Sequence, residues 1–389
     1  MRRLISILIL LGAMSCASRN TVTVKTDAGA VRLQVISPEI VRVSAVRDGK
    51  FSDRQSLAVL PQKGCTDFEV SEAMGVVHLT TEALAVDIYK ADGSIRFYDG
   101  EGNVLADEGR VSVDGGTAVS FASTDDEAFY GLGQHQAGEL DHKGRREELY
   151  QYNTKISVPF VLSSKGYGIL FDAYSYSRWG STEPYRQLGD VFDLDLEGRY
   201  TSADGKVLTR KEDSLYYENE WAIRNLPKDV PLNGARVRYS GTITARETGD
   251  YHFIQYYAGF QSTSIDGKEV MSRRWRPAWN PNSSKYTVHL EKGVPTPVVI
   301  DWEPDGDVSY IGLRVAPLET PEQESRLTFW SECEPMADFY FIAGGSADKV
   351  IAGYRFLSGK APVMPKWALG FWQSRERYST QEDLVGTLA

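Results

Sequence analysis

Many short runs of alternating or β-branched side chains follow position 20, and this pattern constrains the fold more than any other feature of the chain. Examples are residues 31–35 and 40–43, and turn dipeptides such as Asp48-Gly49, Asp92-Gly93 and Asp99-Gly100 separate the runs. A period of two predicts half-buried strands, and Asp-Gly between two such runs predicts a hairpin. We therefore predict an antiparallel β-sandwich over residues 17–197.

A polar stretch at residues 201–205 precedes a second set of predicted strands. Its ordered landmarks are a G-x-Y-x-F run at 249–253, an I-D-G turn at 265–267 and a glycine turn at 290–293. These landmarks resemble the PA14 module, itself a β-sandwich. We predict a PA14 insert over residues 198–320, after which residues 321–345 return to the first sandwich.

The C-terminal residues change from strand to helix patterning. Apolar residues at helical spacing predict a helix over 346–357, within a helical linker over 346–365. The continuous apolar run 367–372 is typical of a parallel strand buried on both faces, and a second helix is predicted from Thr380. Residues 366–389 are thus expected to be the first strand and helix of an incomplete (β/α)8 barrel. The predicted fold class is mostly β.

Charge and composition limit the ligands. The net charge is −10, which argues against a nucleic-acid partner, because binding nucleic acid requires a surface of lysine and arginine. The five histidines lack metal-ligand spacing, so no metal or other cofactor is predicted. Cys65 and Cys333 could form one disulfide, but free thiols are favoured because a large core needs no covalent staple.

The first sixteen residues read as an export signal. Arg2 and Arg3 precede the apolar run 4–11, and small residues stand directly before Cys16. This is the bacterial lipoprotein pattern, with Cys16 as the lipidated residue; simple secretion with an incidental cysteine is the alternative. The expected location is the periplasm or the outer membrane, with membrane contact through the lipid anchor alone.

Three segments carry a family resemblance: residues 129–136, 152–160 and 359–375. Their order and spacing resemble glycoside hydrolase family 31, in which the N-terminal sandwich is galactose-mutarotase-like. The resemblance implies a retaining α-glycoside hydrolase, with an α-xylosidase acting on xyloglucan oligosaccharides favoured over an α-glucosidase. Both catalytic aspartates of the family lie on later barrel strands, so we assign no catalytic residue here and expect this fragment to be inactive.

The resemblance also suggests residues that contact an oligosaccharide. In the barrel segment they are Trp372, Gln373 and Arg375, although Trp372 could instead fill a core and Arg375 could cap a helix. In the sandwich loop the candidate is Asn153, where Lys155 departs from the acidic residue of many family members. In the insert, Trp275 or Trp279 is placed to stack on a sugar, unless one of them only anchors its loop.

An alternative function uses the same features differently. A sandwich followed by a PA14 module could be a non-catalytic carbohydrate-binding lipoprotein, in which the last residues are a remnant. The two hypotheses differ in whether the chain binds glycans tightly by itself or serves as a scaffold for a catalytic barrel.

Overall fold

The computed structural model describes residues 19–113, 115–135, 140–151, 155–180, 183–215, 226–278, 283–372, 375 and 377–388. These residues are mostly β-strand, which confirms the predicted fold class. In chain order the strands are β1 (Thr21–Thr26), β2 (Gly29–Ser37), β3 (Ile40–Val46), β4 (Glu69–Ala73), β5 (Val76–Thr80), β6 (Leu84–Tyr89), β7 (Ile95–Asp99), β8 (Val104–Ser112), β9 (Thr117–Ala122), β10 (Phe129–Gln134), β11 (Glu147–Leu149), β12 (Ile156–Ser163), β13 (Tyr167–Phe171), β14 (Ser177–Trp179), β15 (Arg186–Gln187), β16 (Phe192–Thr201), β17 (Val207–Glu212), β18 (Arg236–Ala245), β19 (Gly249–Tyr257), β20 (Gly259–Ile265), β21 (Lys268–Arg276), β22 (Ser284–Leu290), β23 (Pro295–Glu303), β24 (Ile311–Val315), β25 (Arg326–Ser331) and β26 (Ala337–Ala343).

Helices are few and short. They are α1 (Leu188–Val191), α2 (Pro321–Glu324), α3 (Ala347–Ser358), α4 (Gln381–Leu388) and a 3-10 helix at Lys366–Leu369. In the described part of the chain, no helix has the length and apolar character needed to cross a bilayer.

The first sandwich is built from both ends of the chain. Within the described residues, one sheet has seven strands in the order β1-β2-β3-β26-β13-β12-β10, and the other has nine in the order β11-β14-β25-β9-β8-β7-β6-β5-β4. Aromatic side chains pack between the sheets: the ring centroids of Phe97 and Phe341 are 3.8 Å apart, and those of Phe171 and Phe329 are 3.9 Å apart. Strands β25 and β26 are the return segment predicted for residues 321–345.

The second sandwich begins earlier than predicted. Its sheets have the orders β15-β24-β19-β22 and β17-β16-β18-β23-β20-β21 in the described residues. The predicted boundary at residue 198 falls inside β16, which pairs along its whole length with β18. Both β15 and β16 pair with strands of the second sandwich, so they belong to it and the boundary lies before β15. Asp266 and Gly267 both have positive φ values, 52° and 69°, which suits the tight β20–β21 hairpin predicted from the I-D-G turn.

Helix α3 matches the predicted helix and covers the outer face of the seven-stranded sheet. Ser346 accepts a hydrogen bond from the backbone N–H of Lys349 and so caps its first turn. Val350 and Leu357 are fully buried against this sheet. Close approach of the helix requires a glycine beneath it, since a Cβ on Gly168 would lie 2.5 Å from a methyl carbon of Val350.

The apolar run at 367–372 is not the strand that the sequence predicts. Lys366–Leu369 form the 3-10 helix, and Phe371 and Trp372 are 87 % and 62 % exposed. A strand needs a neighbour for its backbone hydrogen bonds, and none of the described strands pairs with this segment. Helix α4, predicted from Thr380, is present.

The aromatic core generates a stability prediction. Phe341→Ala removes a fully buried ring that stacks on Phe97 and Tyr167, and should lower the free energy of unfolding by about 3–5 kcal/mol. The same substitution at Phe356, which is 53 % exposed on α3, is the control and should cost less than about 1 kcal/mol. Urea unfolding followed by circular dichroism measures both; equal effects would contradict the proposed importance of the ring stack.

Candidate functional site

A row of three side chains crosses the exposed face of the six-stranded sheet. Trp275 in β21 lies opposite Phe260 in β20, and Phe260 lies opposite Glu303 in β23. Residues directly opposite on antiparallel strands share a face of the sheet. Trp275 and Phe260 are 47 % and 37 % exposed, so the row faces solvent. We call these three residues the aromatic row.

Arg273 bridges part of the row. Its guanidinium lies 3.9 Å from the centroid of the Phe260 ring, and its Nη2 is 3.0 Å from Oε2 of Glu303. Trp275, for which a loop position was expected, lies near the end of β21 instead. The indole of Trp275 can stack on a pyranose ring, while Arg273 and Glu303 can exchange hydrogen bonds with sugar hydroxyls. Trp279 lies outside the described residues.

Phe260 was not identified as a candidate contact from the sequence, although the pattern of residues in β20 is unusual. In this strand Gln261 and Thr263 are fully buried, while Phe260 is exposed. The usual alternation buries the aromatic residue and exposes the amide, so the reversed pattern marks an unusual surface. Nε2 of the inward Gln261 donates a hydrogen bond to the hydroxyl of Thr263, which in turn donates to Oε1 of Gln255.

A second group of polar side chains joins the two sandwiches beside the connection between β11 and β12, in which position 153 falls. Glu148 of β11 accepts hydrogen bonds from Tyr176 of the first sandwich, at 2.7 Å, and from Tyr256 of β19, at 3.1 Å. Lys155 donates to the backbone carbonyl of Glu148 at 2.5 Å and lies 4.1 Å from the centroid of the Tyr150 ring. The base of this loop is therefore held by residues of both sandwiches.

Glu147 forms an ion pair across this junction between the sandwiches. Its side chain is 3 % exposed, and its carboxylate lies 2.8 Å from Nζ of Lys285 in β22 and 3.8 Å from Nδ1 of His135. Burial alone would raise the pKa of Glu147, but the charge and hydrogen bond of Lys285 outweigh it and leave the pKa lowered. Burial lowers the pKa of His135, so this imidazole is a neutral partner near pH 7.

The base of the same loop is closed by reciprocal hydrogen bonds. Nε2 of Gln151 donates to the carbonyl of Ser157 at 2.8 Å, and the N–H of Ser157 donates to Oε1 of Gln151 at 3.2 Å. Asn153 itself lies outside the described residues. Its role as a sugar contact stays a prediction.

The C-terminal candidates lie apart from the contacts described so far. Nε1 of Trp372 donates to the carbonyl of Ala368 at 3.0 Å, and Nη1 of Arg375 lies 3.0 Å from Oδ1 of Asp383. Gln373 and Cys16 are outside the described residues. Cys65 and Cys333 are both free thiols, as predicted. Among the described residues, no group of three His, Cys, Asp or Glu side chains is placed to hold a metal ion.

The buried ammonium of Lys155 predicts a particular pH dependence. Burial lowers its pKa from 10.5 to about 8, so the folded state loses this proton before the unfolded state does. The destabilisation is fully present below pH 8 and disappears as the pH rises towards 10.5. We expect Lys155→Met to raise the melting temperature at pH 7, with the gain shrinking above pH 8.

Melting curves between pH 7 and 10 measure this difference. Lys50→Met provides the control, because the Lys50 side chain is 87 % exposed and its replacement should leave the pH profile unchanged. A Lys155→Met variant that melts below the parent protein at pH 7 would show that the contacts of the ammonium outweigh its desolvation.

Comparison with known protein families adds an independent observation. Residues 30–179 match the model described as the glycosyl hydrolase 31 N-terminal galactose mutarotase-like domain. Among curated proteins, an α-xylosidase of Saccharolobus solfataricus is 23 % identical over 375 residues, which cover 92 % of this chain and 32 % of the relative. Alpha-glucosidase 2 of Bacillus thermoamyloliquefaciens is 25 % identical over 253 residues, covering 53 % of this chain and 32 % of that relative. The chain thus spans about a third of the length of these curated relatives.

A solved structure extends the similarity to nearly the whole chain. The crystal structure of a GH31 α-xylosidase from Xanthomonas citri superposes with a TM-score of 0.83 at 34 % identity, over 96 % of this chain and 43 % of that one. The matched residues 30–179 cover most of the first sandwich, up to the end of β14. Residues 30–179 therefore form a galactose mutarotase-like domain of the kind found at the N-terminus of glycosyl hydrolase 31.

Proposed function

We propose that this chain is the N-terminal part of a retaining α-glycoside hydrolase, with an α-xylosidase acting on xyloglucan oligosaccharides as the favoured activity. In this proposal the two sandwiches are a scaffold and part of the rim of the substrate pocket, and the catalytic aspartates lie outside these 389 residues. The observation that carries it is the similarity to the Xanthomonas citri α-xylosidase, which extends over 96 % of the chain at 34 % identity. Because one relative is an α-glucosidase, α-glucosides are the alternative substrates in this proposal.

The proposal includes the second sandwich and the N-terminal segment. The second sandwich is taken to be a PA14 module, supported by its two antiparallel sheets and by the β20–β21 hairpin at Asp266-Gly267. Residues 1–16 would direct export, with lipid attached to Cys16, and lie outside the described residues. Residues 366–389 would contribute to the barrel, where a parallel partner strand could convert the exposed apolar run into a buried one.

Enzymatic assay of the complete reading frame tests the catalytic proposal. The product of the whole frame that encodes residues 1–389, with any codons after Ala389, should hydrolyse 4-nitrophenyl α-xyloside with retention of anomeric configuration. The 389-residue chain assayed in parallel should release no product. Hydrolysis by the 389-residue chain, or a folded full-frame product inert on α-xylosides and α-glucosides, would contradict the proposal.

A non-catalytic carbohydrate-binding lipoprotein is the second candidate, and the aromatic row favours it. Calorimetry of the 389-residue chain with xyloglucan oligosaccharides should show binding that Trp275→Ala weakens about tenfold, because the indole stacks on a sugar ring. Trp367→Ala is the matched control, since Trp367 is 70 % exposed outside the aromatic row and should not affect binding. Binding by the chain, together with an inactive full-frame product, would favour this candidate; equal effects of the two substitutions would remove Trp275 from the site.

A further inference from the structure

A small basic cavity lies between the two sandwiches. Its volume is about 30 Å³, enough for about two water molecules or one compact anion. The first sandwich contributes residues that immediately precede β11, and the second contributes residues of β19 and β22. The polar side chains that line the cavity include Arg145, Arg146, His252, Lys285 and Thr287. No carboxylate is among the described residues that line it.

Arg146 has a buried donor without a partner. Its side chain is 8 % exposed, and its Nη2 lies 3.1 Å from both the carbonyl oxygen of Pro317 and Oε1 of Glu319. The other terminal nitrogen, Nη1, is buried and has no hydrogen-bond partner among the described residues. A buried guanidinium N–H without an acceptor is costly, so this atom indicates a ligand or an ordered water.

The second sandwich supplies the opposite wall. Nδ1 of His252 lies 2.9 Å from the hydroxyl oxygen of Thr287, its partner across β19 and β22. Burial lowers the pKa of His252, and the charges of Arg146 and Arg145 lower it further, against the opposing charges of Glu319 and Asp250. Lys285 pairs with Glu147, and Arg146 pairs with Glu319 through Nη2, so the donor left for a ligand is Nη1 of Arg146.

We propose that this cavity binds one small oxyanion, of the sulfate or phosphate type, which accepts a hydrogen bond from Nη1 of Arg146 and faces His252 and Thr287 across the junction. The bound anion would contact both sandwiches at once. It would therefore stabilise their contact as well as the buried guanidinium. This inference does not depend on the proposed hydrolase function.

Thermal unfolding of the whole chain with low-millimolar sodium sulfate, sodium phosphate or sodium acetate, against sodium chloride at equal ionic strength, tests the proposal. Sulfate and phosphate should raise the melting temperature by about 2–4 °C, with acetate weaker because it has fewer acceptor oxygens. Arg146→Gln should abolish the shift. Arg246→Gln should retain it, because Arg246 is an exposed arginine paired with Asp193 away from the cavity.

Arg146→Gln also removes the ion pair of Glu319 and could destabilise the protein for that reason alone. A second variant and a direct measurement of the anion therefore complete the test. His252→Ala should weaken sulfate binding about fivefold in calorimetry. Crystals soaked in sodium selenate should show an anomalous peak within hydrogen-bond distance of Nη1 of Arg146. Equal sulfate shifts in the parent and Arg146→Gln proteins, or density for water alone in the cavity, would overturn the proposal.

Discussion

The first sandwich depends on one strand that arrives late in the chain. Strand β26 occupies the middle of the seven-stranded sheet, between β3 and β13, and every one of its residues is buried. Arg42 of β3 forms an ion pair with Asp338 of β26, with nitrogen–oxygen distances of 2.9 and 2.5 Å. The N-terminal strands therefore cannot complete their sheet until the chain has passed through the whole second sandwich and returned. Because this pairing joins residues far apart in the sequence, formation of the first sandwich is coupled to the chain that forms the second.

The path of the chain also determines which residues of the two sandwiches contact each other. Residues leave the first sandwich after β14 and re-enter at β25, so the second sandwich is tethered at both ends. Its β19 and β22 lie against the segment around β11, where Tyr256 contacts Glu148 and Lys285 contacts Glu147. These contacts join the insert to β11. The aromatic row lies on the other sheet of the insert, so its surface is available for a separate ligand contact.

Local patterns predicted the parts of the fold that depend on neighbours in sequence. The β20–β21 hairpin follows from Asp266-Gly267, because both positions need a positive φ, and α3 follows from the spacing of Val350 and Leu357 with Ser346 as its cap. The aromatic row could be predicted only in part: Trp275 was identified, but Phe260 becomes its neighbour through cross-strand pairing. The run 367–372 was predicted as a strand from its apolar character alone, and that character does not supply a partner strand.

Local residue patterns were enough to predict the mostly-β class, the turns and the helices near the C-terminus, because each depends on residues close together in the chain. The resemblance to glycoside hydrolase family 31 came from the order and spacing of three sequence segments. Three features emerge only from the folded chain: the second sandwich begins at β15, Glu147 contacts Lys285, and Arg146 lines the same cavity as His252. These facts depend on strand register and on burial between elements more than a hundred residues apart. Local periodicity and short motifs do not specify which distant strands pair. Charged side chains on those strands interact only after pairing brings them together.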